Sequence, residues 1–237
     1  MKRIVRRVID IGMMACLLLL MSYSLLSERG HEWIGMGMFT LVIIHQILNR
    51  MWWKTAVKRK YTAFTGVQTV LVILLVMSML GSMLTGIYMS RYVFANLLPY
   101  GRDTYLAARI HMFCAYFGFM MMGIHCGYHL HVFFPARKGK EFSKRVSQSV
   151  FAAAAIAGIF ASLQRGFWNY FFLRNHFFAE FGTTLLQYLV SYLFIEMLFV
   201  FLGTVLSGIM IRYTQRYALQ KAGEIRKTKN IIYKQNA

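Results

Sequence analysis

Charge of one sign is almost missing from this chain. Of 237 residues only eight are Asp or Glu, and all charged residues together make up 15%. A soluble domain of this length needs far more charge on its surface, so that class is excluded. Cysteine is scarce too, and Cys16, Cys114 and Cys126 each lie inside an apolar run, which excludes a disulfide framework. No Cys-x-x-Cys-His occurs, so no macrocycle is attached through that motif. Proline is rarer still, at two residues.

What the chain has instead is hydrocarbon: 58% hydrophobic residues, including 20 Phe, 14 Tyr and 17 Met. A bilayer core is crossed by roughly 20 predominantly apolar residues. Such runs fall at about 4–26, 32–54, 67–90, 104–134, 148–164 and 183–211, the fifth short and Ala-rich. The expectation is an all-α integral membrane bundle of about six helices occupying 1–211, followed by a frayed basic tail over 212–237. The first run starts basic like a signal peptide, yet it carries Asp10 and no small-residue cleavage site follows, so it reads as a retained helix. Between the last two runs, "RGFWNYFFLRNHFFAEFG" is aromatic and amphipathic and is expected to lie flat on the outer surface.

The formal charge of +19 raises nucleic acid as a partner, but the cations are not spread as a binding face. They come in bursts: Lys2 to Arg7, Arg50 to Lys60, Arg137 to Arg145, and Arg212 to Lys234. The alternate connections hold only Arg29, Arg91, Arg102, Arg109, Arg165 and Arg174. That split of 21 against 6 is the positive-inside asymmetry of a multi-pass protein of the cytoplasmic membrane with both termini cytoplasmic. Anionic lipid headgroups are the expected counter-charge, and nucleic acid is not expected.

Histidine is the residue out of place. His31 and His45 stand 14 apart on the second run, and His111 and His125 stand 14 apart on the fourth. Fourteen helical residues rise about 21 Å and return to the same face of a supercoiled helix. Two runs separated by one other run in the same direction, so His31 is expected level with His111, and His45 level with His125. Two imidazoles make a poor zinc site, which takes about four ligands. They supply both axial positions of a haem, whose porphyrin brings the other four nitrogens, and without covalent attachment the haem is of b type. Two haems, one near each membrane surface, follow from two pairs. Gly118, midway between His111 and His125, and Gly35 and Gly37, after His31, are expected to let a flat macrocycle approach the backbone. Arg109 is placed to pair with a propionate. His129 shares the stripe one turn deeper and is an alternative to His125. His131 and His176 read as interfacial, and Met36, Met38, Met112 and Met120 to Met122 as core filler. Gly123 and Gly127 form a small-xxx-small pair suited to helix packing.

Four stretches carry a family resemblance: "HEWIGMGMFTLVIIHQILNRMWW", "SRYVF", "ARIHMFCAYFGFMMMGIHCGYH" and "NHFFAEF…LQYLVSYLFIEMLFVF". Together they resemble the flavinylation-associated cytochrome domain, a family related to the membrane cytochrome b subunits of formate dehydrogenases and nickel-iron hydrogenases. The likeness covers nearly the whole chain. His31, His45, His111 and His125 stand at the family's histidine positions, and His129 matches the last His of its His-x-Gly-x-His element. The sequence departs from the pattern just after that element, where Leu130 and His131 replace the usual Trp. The resemblance implies bound haem b and electron exchange with extracytosolic flavin-bearing or iron-sulfur proteins.

The expected function is therefore an electron carrier across the bilayer, an oxidoreductase subunit rather than a stand-alone enzyme. With no soluble domain to meet a soluble donor, the membrane quinone pool is the expected exchange partner. Quinone chemistry needs a proton-handling group, and Asp10 and Glu196 are the intramembrane carboxylates available. For Asp10 the competing expectation is a salt link to Arg6 or Arg7. Two other classes remain open at this point. One is an ion or metal transporter lined by the histidines and Glu196; the other is a haem-free anchor subunit.

Overall fold

The computed structural model describes residues 2–97, 103–130, 141–175 and 182–235, with side chains left out at 2, 97, 141–147, 224, 225 and 227–235. The described residues are all-helical, and no strand occurs among them. In chain order the helices are α1 (Lys2–Met21), α2 (Glu28–Leu48), α3 (Arg50–Lys58), α4 (Ala63–Met89), α5 (Tyr105–Leu130), α6 (Glu141–Gln164), α7 (Phe167–Phe171) and α8 (Leu185–Gln235). Their starts are written in the sequence. Ser27 accepts from the Gly30 amide to cap α2, Thr62 and Thr65 form a reciprocal box at α4, and the Asp103 carboxylate accepts from the Tyr105 amide at α5. Thr184 and Gln187 exchange the same pair of bonds at the start of α8. Each device satisfies backbone donors that a helix leaves orphaned at its N-terminus.

Three helices are long and apolar enough to cross a membrane on their own, namely α4, α5 and the Leu185–Gly223 part of α8; α2 and α3 taken as one bent unit make a fourth. The expected count of six is larger. α1 carries Arg6, Arg7 and Asp10 in its first half, and the apolar part of α6, Gln148–Gln164, is short. The run expected over 32–54 is also broken: α2 stops at Leu48 and α3 departs at 52°. The break lies at Asn49, whose amide side chain turns back to donate to the His45 carbonyl at 2.9 Å. The basic tail, expected to fray, continues α8 as far as Gln235. It is built largely of good helix formers and has no proline.

Apolar residues face outward on α4 (Val70, Ile73, Leu74, Met77, Leu80, Leu84), as a lipid-facing surface requires. α5 lies at the centre, packed against α4 on one side and α8 on the other, while α6 packs on α8 and α1 on α2. Without a hydrophobic force to join helices in lipid, close approach has to come from small residues. Along the α5–α8 seam a Cβ on Gly127 would overlap the Val200 carbonyl, and one on Gly203 would overlap that of Ile124. At Gly123 it would lie 2.6 Å from the Phe199 Cβ. α7 buries one face and exposes the other: Phe167 and Tyr170 are buried, the Phe167 ring meets those of Tyr116, Phe119 and Phe199, and Asn169 and Phe172 are exposed. Gly166, at φ +59°, takes the left-handed turn that drives this aromatic plug inward. His176, in the stretch that follows, lies outside the described residues, as does His131.

The cation burst at 137–145 lies outside the described side chains, and those at 3–7, 50–60 and from Arg212 on lie toward one end of the bundle. There Arg6 donates to the Leu48 carbonyl, Tyr128 donates to that of Phe64, and Phe64 meets Thr214. At the other, cation-poor end, the Tyr188 hydroxyl donates to the Met21 carbonyl.

The seam makes a clear forecast. Gly127→Ala or Gly203→Ala should lower stability by about 1–3 kcal/mol through overpacking, read as an earlier melt in mild detergent. Gly37→Ala, which meets open space, should leave the melt unchanged or later; equal losses at all three positions would contradict this packing.

Candidate functional site

Near the cation-poor end, α1, α2, α4 and α5 enclose a cavity of about 560 Å³. Its walls are mostly apolar, from Leu20, Met36, Met79, Met83, Met112 and Ala115, and two histidines project into it, His31 from α2 and His111 from α5. Their ring centres are 6.2 Å apart with the planes at 70°. That is too far for the two rings to bond to each other. It is the span expected of one metal ion bonded to a nitrogen of each ring, with metal–nitrogen bonds of about 2 Å and the ring centres set behind their nitrogens.

His111 is held by its Nδ1. That nitrogen donates to the Ser82 carbonyl at 2.9 Å, with the Thr85 hydroxyl at 3.2 Å. A carbonyl only accepts, so the proton is on Nδ1 and Nε2 keeps a free lone pair. This is the arrangement by which proteins orient a ligating imidazole. Gly86 gives the ring its room, since a Cβ there would stand 3.4 Å from the His111 Cε1. The His31 ring meets Tyr23 edge-on at 5.0 Å. Its buried Nδ1 has no partner among the described residues. A buried polar atom without a partner is costly.

His31 is placed by its neighbour. The Glu32 carboxylate accepts four hydrogen bonds from the end of α4 and the turn beyond it. The donors are the Ser90 hydroxyl at 2.7 Å and the amides of Arg91 at 2.7 Å, Tyr92 at 3.1 Å and Val93 at 2.9 Å. The stretch "SRYV" of the second motif thus wraps one carboxylate, and Ser90, Arg91 and Val93 line the cavity as well.

The second histidine pair lies deeper. His45 donates from Nδ1 to the Asp10 carboxylate at 2.8 Å. Asp10 is therefore bound to His45, not to Arg6 or Arg7, and Arg6 is engaged at Leu48 instead. The other His45 nitrogen, Nε2, is 3.3 Å from the Asn49 amide. His45 is within electrostatic reach of His125, and the His125 ring packs against His129 at 4.8 Å. His129 in turn approaches Gln68, at 3.4 Å. Since His31 meets His111 and His45 neighbours His125, α2 and α5 run in the same direction.

Other expected site residues are distributed differently. Gly35 lines the cavity. Gly118 does not; a Cβ there would meet the Ser78 Oγ at 3.0 Å, so this glycine serves the α4–α5 contact. Arg109 lies over the ring of Tyr105, one turn back on its own helix. The arginine at the cavity is Arg91, 3.5 Å from Glu28. Glu196 is buried in the α5–α8 seam, and neither carboxyl oxygen has a partner among the described residues. A Cβ on Gly123 would come within 3.2 Å of its Oε1.

Sequence reading missed Glu32, Arg91, Tyr23 and Gly86. Glu32 was adjacent to a flagged histidine, and an acid inside a membrane run was the available signal. The other three are brought to the cavity by tertiary packing alone. Among the described residues, no group of three or more His, Cys, Asp or Glu forms a metal site. No family model, curated protein or solved structure matches the chain.

The hydrogen bonds dictate tautomers that nitrogen NMR can read. In protein free of any bound metal, His111 and His45 should both carry their proton on Nδ1, with Nε2 bare. Finding the proton on Nε2 of His111 would contradict the Ser82 contact and the free lone pair derived from it.

Proposed function

We propose that the chain is a membrane b-type cytochrome that carries electrons across the bilayer. In this reading the electrons pass between the quinone pool and a flavin-bearing or iron-sulfur protein at the extracytosolic face. The observation that carries it is the pair of imidazoles, His31 and His111, facing one another at 6.2 Å across a mostly apolar cavity. The residues fit a haem: two nitrogen donors, a volume within the range of cofactor pockets, and a neighbouring glycine, Gly35, in its wall. Haem supplies one-electron redox chemistry when bound.

The bundle then has six spans, with α1, α2, α4 and α5 surrounding the haem sites and both termini in the cytoplasm. Its basic end lies against anionic lipid. His31 and His111 would hold the outer haem, and His45 and His125 the inner one, with His129 one turn deeper. The 14-residue spacing sets the two sites about 21 Å apart along the helices. This divides a hydrocarbon thickness of about 30 Å into shorter hops. Asp10 orients the His45 ring, as carboxylates do behind ligating histidines. Arg91 forms the polar edge of the outer site, where a propionate needs a cation. Glu196 is the proton-exchanging group for the quinone, supported by its burial and by its two oxygens free of partners among the described residues.

Absorbance tests the reading. Purified in mild detergent after expression with ample haem, the protein should give a b-type reduced-minus-oxidised spectrum and two haems per chain. His31→Ala and His45→Ala should each remove about half of the pigment. Colourless protein with metal-dependent flux in vesicles would instead favour a transporter. Colourless protein without flux would favour an anchor subunit.

A further inference from the structure

We infer that Glu32 is the positioning residue of the outer axial ligand, fixing His31 through the segment that follows α4. The inference rests on the cytochrome reading but uses a different part of the molecule.

His31 closes the first turn of α2, its amide donating to the Ser27 carbonyl at 2.9 Å. Its own ring receives no hydrogen bond at Nδ1 from any described residue, so nothing on the imidazole itself sets its orientation as Ser82 sets that of His111. The Tyr23 ring edge bounds it on one side without bonding to it. The restraint comes instead from the next residue. Three consecutive amides, of Arg91, Tyr92 and Val93, together with the Ser90 hydroxyl, converge on the Glu32 carboxylate within 3.1 Å. Successive backbone N–H groups of this kind form an anion-holding concavity. The Ser90 hydroxyl oxygen also accepts from the Phe94 amide at 2.9 Å, closing the turn on itself. One carboxylate thereby ties the start of α2 to the end of α4, the helix whose Ser82 carbonyl and Gly86 hold His111. Both axial ligands are referred to a common frame, and the frame passes through Glu32.

Glu28, one turn earlier, provides the contrast. It also lines the cavity, but its partner is the exposed side chain of Arg91 at 3.5 Å. Such a surface pair contributes little, so position alone does not qualify an acid at this rim.

The test compares Glu32→Gln with Glu28→Gln in the full chain. Amide hydrogen exchange at residues 91–93 reads the tie itself, whether or not haem is bound. It should accelerate at least about tenfold in Glu32→Gln, because the new amide N–H groups oppose the backbone donors, and stay unchanged in Glu28→Gln. Carbon monoxide binding by the reduced protein reads the ligand, since a haem held by two imidazoles has no free position. About half of the haem should become reactive in Glu32→Gln and none in Glu28→Gln, with the helical circular dichroism intact. If Glu32→Gln does not fold, Ser90→Ala removes one donor and should show the same two changes in smaller measure. Unchanged exchange, or faster exchange with all haem still unreactive, overturns the inference while leaving the cytochrome reading in place. Wild-type protein without a b-type spectrum removes that reading, and the ligand-positioning role with it.

Discussion

An imidazole inside hydrocarbon has to find a partner for each ring nitrogen or bear the cost of leaving it bare. Much of this structure can be read as the working out of that constraint. His111 satisfies Nδ1 on the Ser82 carbonyl and keeps Nε2 bare; His31 keeps a buried Nδ1 without a partner among the described residues; and the two rings face each other over 6.2 Å. A helix bundle has no reason to preserve such a gap for packing alone. In the proposed reading, a haem bonded to both rings is what stabilises the arrangement.

Holding the gap open requires rigid walls. α5 is the central helix, and its other face is locked to α8 by glycines so close that a single methyl group would collide with backbone. The Phe167 plug fills the interior beside Tyr116, a residue that also lines the cavity. α2 is the less embedded partner, mostly half-exposed along its length. It is fastened at two points: Asp10 on His45 at the cation-rich end, and Glu32 on the turn after α4 at the other. Each fastening touches a histidine or its immediate neighbour. Restraint is thus concentrated where ring orientation matters.

The helical class, the approximate runs and the parallel direction of α2 and α5 were legible in the sequence. Apolar length and a repeated 14-residue interval are local properties that survive folding. What was not legible depends on which faces meet. Gly118 looked like room for a macrocycle because it lies between two histidines, yet its face turns to Ser78. Arg109 is near His111 in sequence but folds back over Tyr105, whereas Arg91, brought by the connection after α4, reaches the cavity. The aromatic stretch after Gly166 has the composition of a surface helix, and only the left-handed turn redirects it inward. Asp10 was weighed against arginines on its own helix, although its partner lies 35 residues away on another. The bend at Asn49 was missed because the expected run was carried to Lys54, past the Asn49–Arg50 pair that interrupts the apolar sequence. Of the basic segments, those whose placement is described share one end of the bundle.

Direct imaging of the gap is the most immediate test. An experimental density map of the protein purified with its native cofactors should show a flat, disc-shaped feature between His31 and His111, with its strongest peak midway between the two rings. Imidazoles collapsed into direct contact there, or a gap filled only by side chains and lipid, would contradict the account.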